Sequence, residues 1–526
     1  MRVRMARAGR GATAILLGAA IAAGATGPAA SGSAQAATAP ATLARVTVER
    51  QQPGRQIPRD FVGFSLEVST GGQGISAYRG AGAAKAAPTR SEQYALGHPG
   101  APNRALFHFM RDLGPGVLRL GGNSQDNTCW DTAQAPHPEW CKATLNAGAL
   151  RLFGTAARAS GWRLMLGLNL KQNDPAWAVR ELTEGVAKTI PRSSLLALEI
   201  GNEPDLFSRG ARPHGYSPQD DVRDFLGYLH AIRGNPATRG YAVAGPATCC
   251  AWRNARDLGI FLDGVGAGNL ALATVHNYMG AVCNGRQMTI AQLLDARRRE
   301  RFDQLAQSLE ATAQARGVPI AMAETNTVAC GGMPGVSDAF AAAAWGVDYM
   351  FTLARDGYRQ VNFHFSYRPG GGSSYNPVLT YGERAGHGWR YENIAEPLYY
   401  AMYLFARHAA GARLAPARVE SAANVHAYAV SDCAGCGVRV FVVNEDLTAG
   451  GQVTVAGAGG GAARLLLLQA PSLSAKADEV RLGGAQFDGQ GRLGKLHTRA
   501  LKPNKAGDYV FALPNASVAM LTVSGR

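Results

Sequence analysis

Two stretches of the sequence place a carboxyl group where an apolar run ends. LEIGNEPDLF carries Glu203 just after the run at 195–201, and AMAETNTVACGG carries Glu324 at the end of the run at 319–325. A carboxyl beside a buried strand is costly unless it is paired or performs chemistry. One protonated and one ionised carboxyl together supply a general acid and a nucleophile. Such chemistry requires a fold that brings the two glutamates to one place.

Eight short apolar runs alternate with helix-like segments and predict the fold that positions these carboxyls. Strands alternating with helices indicate a parallel sheet, and eight such units over about 340 residues predict an α/β fold of the (β/α)8 TIM-barrel type. A doubly wound open sheet is the competing topology, but no GxGxxG follows the first run. The runs lie at 61–68, 116–122, 163–170, 195–201, 242–246, 272–278, 319–325 and 360–366.

The spacing of the two glutamates suits opposite sides of a barrel mouth. Glu203 follows the fourth run and Glu324 ends the seventh, so three strand–helix units of about 40 residues separate them. The carboxyl ends of barrel strands line one mouth, where the two side chains can face each other. Hydrolysis of a glycosidic bond with retention needs two carboxyls about 5–5.5 Å apart, and Asn202 could donate to the sugar 2-hydroxyl. Either glutamate alone is more readily interpreted as a surface or helix-capping carboxylate; the combination favours a catalytic pair.

The pattern changes near residue 405, and this change predicts a second domain. Short strand candidates separated by Gly, Asp and Asn turns are typical of an antiparallel β-sandwich. The early run at 44–51 precedes the barrel and can pair into that sandwich. We predict a signal peptide at 1–36, an N-terminal strand segment at 37–58, a catalytic barrel at 59–405 and a sandwich at 406–526.

The first residues predict export. MRVRMARAGR is basic, GATAILLGAAIAAG is apolar, and Ala34-Gln35-Ala36 resembles a cleavage site, which together indicate a secretory signal peptide. The alternative is a disordered Ala-rich tail. The apolar run is shorter than the ~20 residues of a membrane-spanning helix. We therefore expect a secreted or periplasmic protein without a membrane partner.

Charge and cysteines restrict the partners and cofactors. The formal charge is +15, which suits either an acidic polysaccharide or simple solubility. No lysine-and-aromatic platform for nucleic acid stands out. The eight cysteines suggest disulfides in an exported chain, but their pairing cannot be read from the sequence. DCAGC contains one CxxC, and neither a second CxxC nor a nearby His pair completes a metal site. We expect no metal and no cofactor.

The two glutamate stretches also carry a resemblance. LEIGNEP and MAETNTVACGG resemble the acid/base and nucleophile strands of retaining glycosidases built on the clan A barrel. Within that clan, the chain most resembles glycoside hydrolase family 79, the β-glucuronidases and heparanases, from about residue 45 to the C-terminus. The stretches that carry this likeness are FVGFSLE, LRLGGNSQD, LGLNL, VHNY, QVNFHFS, SSYNPV and EPLYYAMYLF.

The resemblance implies a role for each matching residue. Glu203 would be the general acid/base and Glu324 the nucleophile. The terminal sugar hydroxyls would be met by Glu67, Asn123 and Asp126, while the two carboxyls would be flanked by Asn202 and Tyr278.

A glycine turn would bind the uronic acid carboxylate. The backbone amides of Gly331 and Gly332 would hold it together with the Tyr375 hydroxyl, because a glycine turn lets N–H groups approach an anion closely. Heparanases carry a tyrosine just before the glycine pair, where this chain has Ala329 and Cys330. Tyr367 or Tyr375 could therefore fill the tyrosine role; Tyr-x-Pro after a glycine run favours Tyr375.

Several interpretations of function remain open at this point. The first is a retaining exo-β-glucuronidase acting on terminal β-linked glucuronic acid, because the insertion at 69–100 could close one side of a pocket. The second is a heparanase-like endo-β-glucuronidase that cleaves heparan sulfate. The third is a non-catalytic protein that binds acidic polysaccharide. In each case the partner is a carbohydrate containing glucuronic acid, and we expect a monomer.

Three other polar residues are interpreted as supporting ones. Glu199 lies four residues before Glu203, about 13 Å further down an extended strand, and is expected to be structural. His276 and His364 are expected to give supporting hydrogen bonds rather than to transfer protons.

Overall fold

The computed structural model describes residues 41–69, 95–98, 100–365 and 373–525. The predicted signal peptide, most of the insertion at 69–100 and Tyr367 lie outside the described residues. Within the described part of the chain, no helix is both long and apolar enough to cross a bilayer.

The strands are numbered in chain order. The first thirteen are β1 (Thr42–Val48), β2 (Val62–Glu67), β3 (Gly97–His98), β4 (Ala101–Pro102), β5 (Val117–Gly121), β6 (Thr128–Trp130), β7 (Ala143–Leu145), β8 (Arg163–Leu168), β9 (Leu195–Ile200), β10 (Val243–Thr248), β11 (Leu272–Ala281), β12 (Ile320–Ala329) and β13 (Gln360–Phe365). The remainder are β14 (Val378–Ala385), β15 (Gly388–Ala395), β16 (Arg413–Ala415), β17 (Ala417–Glu420), β18 (Val425–Ser431), β19 (Val438–Asn444), β20 (Gly451–Ala456), β21 (Ala463–Gln469), β22 (Arg481–Leu482), β23 (Arg499–Leu501), β24 (Tyr509–Leu513) and β25 (Ser517–Val523).

Several of the α-helices begin at a capping side chain. Asn146, Ser217 and Asn254 each accept an amide of the first helical turn, which satisfies donors that have no partner within the helix. The helices are α1 (Arg104–Asp112), α2 (Ala147–Ser160), α3 (Pro175–Arg180), α4 (Ala187–Thr189), α5 (Pro218–Gly234), α6 (Ala255–Val265), α7 (Ile290–Leu293), α8 (Ala296–Gln314), α9 (Phe340–Asp356) and α10 (Pro397–His408).

Eight parallel strands close into a barrel, which confirms the predicted fold class. The strand order is β2-β5-β8-β9-β10-β11-β12-β13, and β13 pairs with β2 through Val361 opposite Val62. The lower interior is filled by small and medium apolar side chains, among them Val117 and Ala197. Arg119 and Glu199 lie two residues further along the same strands, so they occupy the same interior face one layer nearer the mouth. In the barrel interior, a layer of charged side chains therefore lies directly above a layer of apolar side chains.

The C-terminal part forms two packed sheets. One sheet has the order β17-β1-β20-β24, and the other has β16-β18-β19-β25-β21-β22 with β23 beside β21. Their facing side chains form a separate apolar core that includes Val46, Val440 and Val453. The first described strand, β1, pairs parallel with β20 and antiparallel with β17. A strand that precedes the barrel in the sequence thus joins the strands that follow it in one sandwich.

The sandwich is joined to the barrel by aromatic and charged contacts on α8 and α9. Phe351 stacks on Tyr428 with ring centroids 4.6 Å apart. The Tyr428 hydroxyl accepts from Arg299 at 2.8 Å and donates to Asp348 at 2.5 Å. Arg299 and Asp348 are therefore paired charges rather than two isolated ones.

Two barrel strands are longer than the rest and end in a disulfide. β11 and β12 have ten residues each, whereas the other barrel strands have five or six. The cysteine pairing, which the sequence left open, is Cys129–Cys141, Cys249–Cys250, Cys283–Cys330 and Cys433–Cys436. The third bridge links the loops just beyond the ends of β11 and β12.

Candidate active site

Glu203 stands on a sharp turn beyond the carboxyl end of β9. Gly201 has a φ of 91° and Glu203 a φ of 50°, both in the left-handed region. Pro204 then begins a 3-10 turn, and the Glu203 amide donates to the Ala247 carbonyl at 2.9 Å. A glutamate rarely adopts this φ unless the surrounding structure imposes it, and such residues cluster at functional sites. The turn lifts the carboxyl of Glu203 out of the strand and into the mouth.

The second carboxyl of this stretch, Asp205, anchors a neighbouring loop. It accepts the backbone amides of Cys249, Cys250 and Ala251 at 3.1, 2.7 and 2.7 Å. These amides follow β10, the strand that pairs with β9. Several amide donors replace the hydration that a buried carboxylate loses. Asp205 therefore fixes the loop beside the turn that carries Glu203.

Glu324 lies within β12, opposite His276 of β11, and faces Glu203. One oxygen of each carboxylate and one ring nitrogen of His276 all lie within 4.8 Å of one another. A retaining glycosidase has its two carboxyls about 5–5.5 Å apart, whereas an inverting one needs roughly 6.5–9.5 Å to admit a water. The separation suits direct attack by one carboxylate on a sugar carbon.

Other groups of potential metal ligands are engaged in disulfides. In the described residues, Cys129 and Cys141 lie beside His137, and Cys249 and Cys250 lie beside Asp205. Both cysteine pairs are bonded to each other, so their sulfurs are not thiolate ligands.

Arg119 connects the nucleophile candidate to the barrel interior. This fully buried guanidinium donates to Glu324 Oε2 and to Glu199 Oε2, both at 2.6 Å. It also donates to Ser65 Oγ at 3.0 Å and to Asn202 Oδ1 at 2.9 Å. Glu199 supplies a second negative charge, so the buried arginine is balanced on both sides. The planar fork of the guanidinium thereby orients four side chains from three barrel strands and the turn after one of them.

The surroundings of Glu324 keep its carboxylate ionised. Burial by itself would raise the pKa of Glu324, but the positive charges of His364 and Arg119 oppose burial. The Tyr278 hydroxyl donates to Oε1 at 2.8 Å and acts in the same direction. Together these groups hold the pKa of Glu324 well below its usual range.

The surroundings of Glu203 have the opposite effect. Burial, the negative charge of Glu324 and then that of Asp205 raise the pKa of Glu203 well above its usual range. His276, whose Nδ1 lies 3.2 Å from Glu203 Oε1, has its pKa lowered by burial to about 4, so its ring is neutral near pH 7. Two carboxyls in one site are thus held in different protonation states, which suits one as acid and the other as nucleophile.

The residues predicted to contact sugar hydroxyls lie beside this pair. Glu67 accepts the amides of Asn123 and Ser124 at 3.2 and 2.7 Å. The side-chain amide of Asn202 donates to Asn123 Oδ1 at 3.3 Å. Gly122 makes the approach possible, because a Cβ there would lie 2.6 Å from the Glu67 carboxyl. The structure brings these residues together at the mouth.

Asp126 offers an acceptor that the described protein does not use. It is 5% exposed, and its Oδ2 lies 3.5 Å from Lys171 Nζ, while no donor in the described residues reaches its Oδ1. Burial raises its pKa to about 7, with Lys171 opposing and the charges of Glu203 and Glu67 adding to the rise. The negative charges of Glu203 and Glu67 therefore both act on Asp126, which shares their pocket.

Tyr375 lies beside Tyr278 and His364. Its ring centroid is 6.1 Å from that of Tyr278 and 6.2 Å from that of His364. The Tyr375 carbonyl accepts from the side chain of Asn326 in β12 at 2.8 Å. The structure thus brings Tyr375 to the predicted site.

One donor of the predicted glycine clamp is already used. The Gly332 amide donates to the Val328 carbonyl at 3.1 Å and closes the turn after β12. The expectation that both amides bind a carboxylate is therefore wrong for Gly332, because its N–H is bonded within the turn. In the part of the chain that the structure describes, the Gly331 amide has no such acceptor, and the Gly331 carbonyl accepts the Ser374 amide at 2.8 Å.

Sequence reasoning missed Arg119 and Ser65. The available signal was an arginine within the apolar run GVLRLGG and a serine within FVGFSLE. A charged residue at an inward position of a barrel strand requires a partner, and Glu199 in LLALEIG is that partner. Glu199 is fully buried, and Arg119 links it to Glu324.

The chain is similar to known proteins in sequence and in structure. No protein-family model matches the chain. Two curated relatives, both named β-glucuronidase, are 26% identical over 312 residues in Aspergillus niger and 27% identical over 329 residues in Neurospora crassa. Each match covers 54% of this chain, and the chain spans about half the length of these relatives, 56% in each case.

Solved structures share the fold across almost the whole chain. A 4-O-α-L-rhamnosyl-β-D-glucuronidase from Fusarium oxysporum has a TM-score of 0.70 at 19% identity, covering 91% of this chain and 100% of its own. A family 51 arabinofuranosidase from Xanthomonas axonopodis has a TM-score of 0.64 at 15% identity, covering 92% and 100%. The chain is thus similar in sequence to two fungal β-glucuronidases and has the barrel-and-sandwich fold of glycoside hydrolases.

Proposed function

We propose that the chain is a retaining exo-β-glucuronidase that releases terminal β-linked glucuronic acid from glycans or glycoconjugates. The observation that carries this proposal is the opposed pKa shift of two adjacent carboxyls: Glu324 is held ionised and Glu203 is held protonated. The similarity to curated β-glucuronidases supports the choice of substrate.

In the first step, Glu324 attacks the anomeric carbon and the bond to the aglycone breaks. Glu203 gives its proton to the departing oxygen, so the leaving group departs neutral. Glu324 Oε1 is held by Tyr278 and Oε2 by Arg119, which aims the carboxylate and limits its movement. The product of this step is a covalent glucuronyl ester on Glu324.

In the second step, the ester is hydrolysed by water. Formation of the ester removes the negative charge of Glu324, which had raised the pKa of Glu203. Glu203, now deprotonated, accepts a proton from the water that attacks the anomeric carbon. Two displacements at one carbon restore the β configuration, and Glu324 leaves as a carboxylate.

Recognition of the uronic acid is assigned to the turn after β12. The Gly331 amide and the Tyr375 hydroxyl would donate to the sugar carboxylate, with Gly332 shaping the turn. Glu67, Asn123 and Asp126 would accept from or donate to the ring hydroxyls. A carboxylate that accepts backbone and phenol donors gains charge-assisted hydrogen bonds, which a neutral sugar would not make. Glucosides should therefore bind poorly.

The chain would act outside the cytoplasm. Disulfides persist in oxidising compartments, and each of the eight cysteines is bonded to another. The basic and apolar start of the sequence supports the same proposal.

A substrate panel tests the proposal. We expect release of 4-nitrophenol from its β-D-glucuronide and none above background from its β-D-glucoside. Proton NMR of early product should show β-glucuronic acid forming before the α anomer, since the mechanism retains configuration. Early α product would contradict a retaining mechanism. Failure to cleave the glucuronide, with shortening of heparan sulfate chains, would replace exo- by endo-action.

Loss of the acid should matter most for poor leaving groups. Replacing Glu203 with Ala is expected to lower kcat/KM for phenyl β-glucuronide about 100-fold, because a phenolate must then leave without a proton. With 2,4-dinitrophenyl β-glucuronide the leaving group needs no proton, so kcat/KM should fall only a few-fold. Equal losses with both substrates would show that Glu203 is not the general acid.

Replacing Gly332 with Ala should weaken binding of the uronic acid. The φ is 83°, and an added Cβ would lie 2.8 Å from the Tyr375 amide nitrogen and 3.0 Å from Ser337 Cβ. We expect KM for 4-nitrophenyl β-glucuronide to rise about 10-fold, because displacement of a binding group by a fraction of an ångström is enough to lose its contact. Gly335 is the matched control: its φ is 81°, but nothing lies within 4 Å of its Cβ position. An equal effect of G335A would assign the loss to backbone strain instead.

A further inference from the structure

The strands β11 and β12 continue beyond the rest of the barrel as a two-stranded ribbon. They remain paired to their last residues, with Gly280 opposite Val328 and Ala281 opposite Ala329. Ala281 is exposed, and its neighbours along β11 are half-buried. The end of β11 is therefore less covered than its beginning, whereas β12 stays buried as far as Val328.

The chain reverses sharply where the ribbon ends. Cys330, Gly331 and Gly332 follow one another with φ values of 68°, 91° and 83°. Glycine adopts such values freely, but Cys330 has a side chain and is strained there. Its sulfur is bonded to Cys283, which follows the end of β11. The bridge therefore ties the strained first residue of the turn to the neighbouring strand.

The same turn holds the segment that carries Tyr375. The Gly331 carbonyl accepts the Ser374 amide at 2.8 Å and the Ser373 hydroxyl at 3.3 Å. The Tyr375 amide nitrogen lies 2.8 Å from the position that a Cβ on Gly332 would occupy. A change in the turn is thus transmitted directly to Tyr375.

We propose that the Cys283–Cys330 bridge is a positioning element for uronic acid recognition, which fixes the Gly331 amide and, through it, Tyr375. This inference rests on the proposed function. Glu324 and Tyr278 lie earlier on the same two strands, and Glu324 is held by Arg119 from the barrel interior. The bridge therefore governs binding of the substrate carboxylate, while Arg119 continues to hold Glu324 from the barrel interior.

The test compares removal of this bridge with removal of a distant one. The variant C283A/C330A is assayed with 4-nitrophenyl β-glucuronide beside C433A/C436A, which removes the bridge in the loop between β18 and β19. We expect KM to rise about 10-fold with kcat changed less than about threefold, because a binding contact is lost equally from substrate and transition state. The inhibition constant of free glucuronic acid should rise by the same factor. The control should match the wild type.

A second variant separates the bridge from the backbone strain. C283A/C330G also lacks the bridge, but glycine accepts the φ of 68° without strain, so this protein can form the turn even if alanine at 330 prevents folding. A raised KM in both variants supports the bridge as the positioning element. A raised KM in C283A/C330A alone overturns it, because the backbone conformation would then suffice. A wild-type KM in both, or a loss of kcat with unchanged KM, also overturns it.

Failure of the proposed function and failure of the role of the bridge give different results. If the wild type does not cleave the glucuronide, the proposed function itself fails before any variant is compared. If the wild type is active and the variants have its KM, only the role of the bridge fails.

Discussion

Replacing Glu324 with Gln is expected to lower kcat about 10,000-fold or more, as removal of a catalytic nucleophile does in other hydrolases. The amide keeps the shape of the side chain, and its one carbonyl oxygen can accept from Tyr278 or from Arg119 but not from both, and it cannot form the glucuronyl ester. With Glu203 as its one remaining catalytic carboxyl, the variant could hydrolyse the glucuronide only by direct attack of water on the anomeric carbon, without a nucleophilic carboxylate. The measurement is steady-state release of 4-nitrophenol, with cooperative thermal unfolding as the check of fold.

The same Glu-to-Gln substitution at an exposed glutamate on the barrel surface serves as the control for E324Q. Glu300 is exposed on α8, and E300Q should keep wild-type kcat and KM. E324Q should still bind glucuronic acid, which calorimetry can measure. Activity of E324Q above about 1% of wild type would contradict its assignment as nucleophile, since so small a loss is too little for a covalent mechanism. Binding by a wild type that shows no turnover would instead favour the non-catalytic alternative.

Replacing Arg119 with Met should damage both stability and activity. The variant leaves the buried carboxylate of Glu199 without its partner, and breaking a buried pair in this way costs about 3–5 kcal/mol. Glu324 loses the donor to Oε2 at the same time, so kcat/KM should fall about 1,000-fold as one stabilising electrostatic contact is removed. Chemical denaturation and steady-state kinetics measure the two effects separately.

A double variant distinguishes the two roles of Arg119. In R119M/E199L the uncompensated charge of Glu199 is gone, and apolar replacement of a buried ion pair is often neutral for stability. We expect stability to recover towards wild type while kcat/KM stays low. Recovery of both would mean that Arg119 acts on catalysis only by keeping the barrel folded.

The pH dependence of R119K gives an independent readout. Arg119 lowers the pKa of Glu324, and a lysine cannot reproduce the fork that contacts several side chains. The pKa of Glu324 should rise, so the acid limb of the kcat/KM profile should move to higher pH. A carboxyl whose pKa is lower in the folded than in the unfolded state stabilises the fold at pH values above its unfolded pKa. This stabilisation is lost as the pH falls through the folded pKa. The stability difference between wild type and R119K should therefore be largest near neutral pH and shrink in acid.

The sequence alone determined the architecture of the chain. The alternation of apolar runs with helical segments was enough to predict the barrel, because each run must be buried between its neighbours and the helices outside. The position of Glu203 and Glu324 at the ends of the fourth and seventh runs placed both at one mouth. A regular repeat carries this information locally, so no three-dimensional contact had to be known.

Only the tertiary structure decided how the two carboxyls differ. Their protonation states depend on neighbours far away in the chain: Arg119 and Tyr278 for Glu324, and Glu324 itself for Glu203. Such contacts form across the barrel between strands that the sequence separates by dozens of residues, and no local pattern encodes their distances. The hydrogen bond that the Gly332 amide makes within its own turn also could not be read from the sequence, because it forms only when the chain has folded into that turn.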